Sequence, residues 1–429
     1  MVSFVSSVCI WGAVLVIAIR VLSNSGLALG DNKVCNVLFA DKSIGGGFNA
    51  SKKELLAVFG LAFLFRCIVY LISICAIFIM RDQPFDFKEL GNIYMQWDAK
   101  NYERIALGGY KYYIENGDYV TVVFFPLYPW LIRLFSLIFH SERISGLFLS
   151  WALYSGACTY MYKLFSIDYN KESVKRAIIY ISVFPHALFF GTMMNESLLL
   201  FTAAATLYYI RTHQWYKVGI FGALAALSRM AGILLAVPAA VEWLEHYTIF
   251  GKLRQKKIAE VWKLFYSKGL WIFLMLLGTG IYLFCNYKTT GDWFKFLEYQ
   301  KQYWHNGSVY FGKGITTMYE YMVNTKKFTL FAIWIPEILS VAFVIAALIY
   351  GLRSTRSMYS AFLAIYIIIN TGFNWPISIA RYMTCAIPAF IILSDFSERH
   401  KWTEPLITAG MAIAFGVYFT AYFLSKQIL

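Results

Sequence analysis

Long apolar runs separated by short polar breaks dominate the chain. Runs of the length a spanning helix needs, roughly 20 residues at about 1.5 Å each, lie at about 4–24, 57–80, 124–140, 145–165, 176–193, 197–211, 217–243, 269–287, 328–351, 358–372, 382–395 and 404–424. The pattern predicts an all-α polytopic membrane protein with about 10–13 transmembrane helices. No alternating barrel pattern occurs, and in lipid only helices or a closed barrel satisfy the backbone. The run 217–243 carries a candidate break at Ser228–Gly232. The run 4–24 has no basic residue before it and no good cleavage site after it, so it reads as a retained helix.

Three stretches are too polar to span: 81–123, 245–268 and 288–327. The first is rich in acids. The second is basic, with Lys252, Arg254, Lys256, Lys257, Lys263 and Lys268. Loops rich in Lys and Arg stay cytoplasmic, so 245–268 is expected inside and 81–123 outside. The chain has no internal repeat of 20–50 residues and reads as a single membrane domain over 1–429.

Composition agrees. Of 429 residues, 59% are hydrophobic and 14% charged, against roughly 25% charged in soluble domains; a soluble enzyme is excluded. The net charge of +14 fits basic cytoplasmic loops, and no nucleic-acid motif accompanies it. The seven cysteines and six histidines are scattered, with no metal-ligand or disulfide spacing.

Polar residues beside apolar runs carry the candidate chemistry. In the run Gln96 to Tyr110, residues Trp97, Asp98, Tyr102 and Ile105 recur at helical spacing. A short interfacial helix would rest the aromatics at the membrane surface and aim Asp98 into a cleft. There a carboxylate can serve as general base; its alternative is to cap the helix. Pro126 and Pro129 in Phe124–Arg133 fix a helix entry. Asn195 and Glu196 fall between two apolar runs, either facing a cavity or forming a surface hairpin. Arg229 lies inside an apolar run and Arg381 at a helix entrance. Both are candidates for a lipid phosphate, which guanidinium grips with two parallel bonds; Arg229 could instead snorkel to the headgroups. Arg66, mid-helix, suits a structural bond equally well. No phosphate-binding loop for a nucleotide is present, which favours an activated substrate carried on a lipid.

In their order these elements resemble one family. Trp97-Asp98-Ala99 with Tyr102, Ile105-Ala106 and Gly109-Tyr110 comes first. Phe124-Phe125-Pro126 with Pro129, Glu196-Ser197, and Ser228-Arg229 with Gly232 follow. Together they look like the PIG-V family, the mannosyltransferases that add the second mannose of the glycosylphosphatidylinositol precursor, and their bacterial relatives. The extra N-terminal run, Asn101 in place of a usual His, and the short loops look more like the bacterial members.

The resemblance implies a membrane-embedded, inverting GT-C glycosyltransferase. Its donor would be a dolichyl- or polyprenyl-phosphate sugar, mannose or another hexose, and its acceptor a lipid-linked or surface glycan. Asp98 becomes the expected base, with Glu103 and Glu196 as lesser candidates. Trp97, Tyr102, Arg104, Asn195, Arg229 and Arg381 are the expected substrate-binding residues. The active site is expected on the extracytoplasmic or lumenal face, in a bacterial cytoplasmic membrane or, in a eukaryote, the endoplasmic reticulum. A divalent metal stays open, with no spacing arguing for one; a small membrane subunit is a further candidate partner. The rival readings are a lipid or solute transporter or flippase, and a non-catalytic scaffold of a glycosylation complex.

Overall fold

The computed structural model describes residues 1–27, 46–80, 92, 94–326 and 329–423. Part of the first expected polar loop, 81–91 and residue 93, lies outside them.

The described chain is helical, with isolated bridges and no strand among the described residues. In chain order the helices are α1 (Val2–Asn24), α2 (Lys52–Met80), α3 (Ala99–Gly108), α4 (Leu127–Phe139), α5 (Glu142–Phe165), α6 (Lys171–Ser182) and α7 (Glu196–Arg211). Then come α8 (Trp215–Ser228), α9 (Ala236–His246), α10 (Ile249–Arg254), α11 (Ile258–Ser267), α12 (Met275–Thr290), α13 (Lys295–Trp304) and α14 (Phe311–Asn324). The last are α15 (Ile335–Ser354), α16 (Ser357–Asn370), α17 (Ile379–Met383), α18 (Ile387–Arg399) and α19 (Thr403–Phe423). Among the described residues, five segments are long and apolar enough to cross a bilayer: Val2–Asn24, Lys52–Ala76, Ile258–Thr290, Leu330–Ser354 and Thr403–Tyr422. Five such segments in an all-helical chain are the architecture of a polytopic integral membrane protein.

Several expected runs divide. The run 176–193 is not one helix: α6 stops at Ser182 and a 3-10 turn covers Ala187–Gly191. Pro185 explains this, because proline lacks an N–H and drives the preceding residue out of the helical region. The run 382–395 likewise splits between α17 and α18, with Pro388 in the first turn of α18 rather than in its interior. The run 217–243 breaks at Arg229, whose φ of −163° and ψ of 151° are extended; a 3-10 turn, Met230–Leu235, follows. The stretch 288–327 is not a plain loop, since it carries α13 and α14.

Small residues set the closest helix approaches, as lipid-embedded packing requires. Helix α5 packs along α7, and α8 packs against both α7 and α12. A Cβ on Gly278 of α12 would lie 2.1 Å from the Ala223 carbonyl oxygen of α8, so only glycine permits that crossing. Arg66 in α2 is buried; its Nη1 donates to the Ala187 carbonyl at 2.9 Å and its guanidinium lies 3.9 Å from the Tyr154 ring centroid. This is the structural bond to a neighbouring segment, and it holds the 3-10 turn that leads to Asn195 and Glu196.

Candidate active site

The break after α8 and the turn before α7 bring two polar segments together. Asn195 Nδ2 donates to the Ser228 carbonyl at 3.0 Å, and Ser228 Oγ donates to Ala225 at 2.7 Å. The carbonyl freed by the end of α8 therefore finds a side-chain partner, as a buried helix end requires. Gly232 makes the turn fit: a Cβ there would sit 2.0 Å from the Ala225 oxygen. The same turn delivers Arg229, whose Nη1 lies 2.9 Å from Glu196 Oε1 and 3.4 Å from Asn195 Oδ1.

Arg381 arrives on α17. That five-residue helix is held by Glu337 of α15, whose two oxygens accept the backbone N–H groups of Ser378 (2.7 Å) and Ala380 (2.5 Å). A carboxylate at a helix N-terminus meets unpaired donors and the positive end of the dipole. Ser378 sits at φ +72°. From this platform Arg381 Nη2 donates to Asp98 Oδ2 at 2.9 Å, and its Nε stands 3.0 Å from Glu196 Oε1 without hydrogen-bond alignment. The Arg229 guanidinium stacks on the Tyr382 ring, 4.0 Å from its centroid.

Asp98 begins α3, but its side chain accepts no capping hydrogen bond. The capping alternative is thus set aside. The preceding residue, Trp97, has φ +48°, a conformation that costs a non-glycine residue about 1–3 kcal/mol. Its indole packs edge-on against Tyr422 at 5.0 Å. The turn points Asp98 toward Arg381, while its other oxygen, Oδ1, makes no hydrogen bond among the described residues. The Asp98 side chain keeps 25% of its surface exposed; Arg381 keeps 5% and Glu196 none.

These groups form one end of a cavity of about 510 Å³. Trp97, Asp98, Tyr102, Asn195, Arg229 and Arg381 line it. Glu196 stands behind the lining, where it balances both arginines. Two carboxylates and two guanidiniums are thereby neutral together, which offsets the large cost of burying charge. The burial of Asn195 and Glu196 favours the cavity role over a surface hairpin.

Two expected residues stand elsewhere. Glu103 pairs with Arg143 of α5 at 2.5 Å, and Arg104 lies 3.5 Å over the Tyr113 ring with a 3.1 Å bond to Asn101. Neither lines the cavity. Positions 98 and 102 share one helix face, whereas 103 and 104 are turned roughly 100° and 200° farther round. Glu103 fastens α3 to α5 instead.

Sequence reading missed four residues of this region. Glu337 had a signal, an acid following Pro336 inside an apolar run. Tyr382 stands next to the candidate Arg381. Asp118 lay in the acidic stretch; its Oδ1 accepts from Tyr299 at 2.9 Å and its Oδ2 from Tyr303 at 2.8 Å. Lys301 of α13, which also lines the cavity, had no local signal. Burial and the Asp118 carboxylate raise the Tyr299 hydroxyl above its usual pKa. Among the described residues no group of three or more His, Cys, Asp or Glu is placed to hold a metal.

Residues 125–282 match the family model described as dolichyl-phosphate-mannose-protein mannosyltransferase. No curated protein matches the chain. The matched stretch contains Asn195, Glu196 and Arg229; Asp98 and Arg381 lie on either side of it. The match supports a GT-C glycosyltransferase that takes a sugar from a polyprenyl phosphate and passes it to a glycan acceptor.

Proposed function

We propose that the protein is an inverting hexosyltransferase of the membrane, moving mannose or a related hexose from a polyprenyl- or dolichyl-phosphate to a lipid-linked or surface glycan. Its motifs resemble those of the PIG-V enzymes, and of the bacterial members in particular. The observation that carries this reading is the state of Asp98. One oxygen is held by Arg381 at 2.9 Å, and the other is uncommitted at the wall of the cavity.

The chemistry follows from that geometry. Asp98 Oδ1 takes the proton of an acceptor hydroxyl as its oxygen attacks the anomeric carbon from the face opposite the phosphate. The bond from that carbon to the phosphate oxygen breaks, and the lipid phosphate leaves with the electron pair. Arg229 uses one terminal nitrogen on Glu196 and Asn195; its Nε and Nη2 are unbonded among the described residues and serve the leaving phosphate. Fixed positive charge where negative charge develops is the main electrostatic contribution to such a step. Arg381 positions Asp98, and Glu196 sets the two arginines. A proton removed on the extracytoplasmic side fits the topology in which the basic stretch leading into the candidate span Ile258–Thr290 is cytoplasmic.

The test is sugar transfer by protein in nanodiscs. Radiolabelled polyprenyl-phosphate mannose is the donor, a membrane-lipid extract supplies acceptors, and wild type is compared with Asp98→Asn. A labelled glycolipid absent in the variant is the expected result. Equal product from both would remove Asp98 as base. No product with mannose, glucose or galactose donors would favour the transporter or scaffold reading.

A further inference from the structure

Part of the cavity that Asp98 lines is built by one helix face. On α13, Phe296, Gln300 and Trp304 recur every four residues, with Leu297 and Lys301 one position on, and all five line the cavity. Such spacing puts them on one side of the helix. The rotation of α13 is fixed from behind: Tyr299 and Tyr303, also four apart, donate to the two oxygens of Asp118. The helix ends at His305, in the left-handed conformation with φ +51°, and the returning chain adds Asn306 to the wall. Asn306 Oδ1 is buried without a hydrogen-bond partner.

This face differs in character from the ion cluster. It offers an indole ring, two amides and an ammonium. Flat aromatic faces pack against the C–H faces of sugar rings, while amides match hydroxyls. Lys301 is the element that a neutral sugar leaves unused: it makes no ion pair or hydrogen bond among the described residues. Lys301 is exposed on this face, and the ion cluster does not engage it, because Asp98 and Glu196 already balance Arg229 and Arg381; its ammonium is free to take an anion. With the ion cluster internally neutral, Lys301 leaves the cavity wall one positive charge in excess.

We infer that the α13 face is the acceptor subsite, and that the acceptor is an anionic sugar whose phosphate or carboxylate pairs with Lys301 while its ring lies on Trp304. The inference rests on the reading of Asp98 as base, since the acceptor hydroxyl must lie between the α13 face and Asp98. It adds the charge of the acceptor and the residue that reads it.

Binding tests it apart from turnover. Octyl glucoside, octyl glucuronide and octyl glucoside 6-phosphate share ring and chain and differ in charge at the sixth carbon. Their affinities for the protein in nanodiscs of uncharged lipid are measured by saturation-transfer NMR competition, without donor. Wild type is expected to bind one or both charged glycosides at least tenfold more tightly than octyl glucoside. Lys301→Gln removes that gap and Lys301→Arg keeps it. Preference for the phosphate over the glucuronide, or the reverse, identifies the source of the anion. Equal binding of all three by wild type, or a gap that survives in Lys301→Gln, overturns the proposal. A gap that behaves as expected in a protein that transfers no sugar would instead overturn the enzyme reading and leave an anionic-sugar site.

Discussion

Arg381 and Asp98 are separated by 283 positions in the chain, yet Nη2 of the first donates to Oδ2 of the second at 2.9 Å. The contact joins the start of α3 to the start of α17. It leaves the carboxylate aimed and half-committed, with one oxygen held by Arg381 and the other without a hydrogen bond among the described residues. An acid bonded through both oxygens would have no oxygen free for a proton, and an acid without a cation would lose its orientation.

Asp98→Asn is expected to keep the fold and to lower kcat by about 10²–10⁴, the range a positioned general base contributes. Circular dichroism and thermal unfolding of the variant would match wild type. A kcat within a few-fold of wild type would remove the assignment.

Glu196→Gln acts differently. It leaves Arg229 without a carboxylate partner and Arg381 with Asp98 alone, and removing one partner of a buried pair costs about 3–5 kcal/mol. A large fall in the thermal midpoint is expected together with loss of activity. Adding Arg229→Met to Glu196→Gln should recover part of the midpoint, because the two changes are coupled; strict additivity would contradict the bridge.

Arg229→Lys preserves the charge and loses the planar fork. The expected outcome is a kcat for transfer reduced about tenfold or more, at roughly 1.4 kcal/mol per decade, with the thermal midpoint close to that of wild type. An unchanged rate would show that the leaving phosphate is served elsewhere.

The Asp118 clamp predicts a pH effect on the outer wall. Tyr299 has its pKa raised from the usual 10.0 by burial and by hydrogen bonding to Asp118. The folded state therefore holds its proton more tightly than the unfolded one. The contribution to stability is complete below pH about 10 and declines as pH rises above it. Hydrogen exchange across 109–126 and 295–304 should be constant from pH 6 to 9 after correction for intrinsic rates and accelerate beyond 10. Tyr299→Phe should raise exchange at neutral pH and flatten that rise; identical profiles would show that the clamp does not hold α13.

Helix-length apolar runs and the polar positions beside them were legible because each is a local property. The bilayer demands internally bonded backbone, so a long apolar run can be little else than a helix. Proline's missing N–H fixes the ends at Pro185 and Pro388, although the run 176–193 shows that hydropathy alone overlooks such an end. Asp98, Arg229 and Arg381 stood out because charge near apolar sequence is costly and must be compensated.

The compensation itself was decided in three dimensions. Nothing local to Glu103 separates it from Asp98; only the direction in which α3 docks sends one to Arg143 and the other to Arg381. Glu196 read as a candidate base until its complete burial between two arginines made it their common counter-charge. Lys301 looked like any loop lysine, and its place in the lining of the cavity depends on two tyrosines meeting a carboxylate 181 and 185 residues away. Sequence alone marks which segments are apolar enough for lipid and which polar residues accompany them, since those follow from the free energy of each segment in lipid. Which charges face one another was settled by tertiary structure, because pairing across hundreds of residues depends on helix packing that no local pattern records.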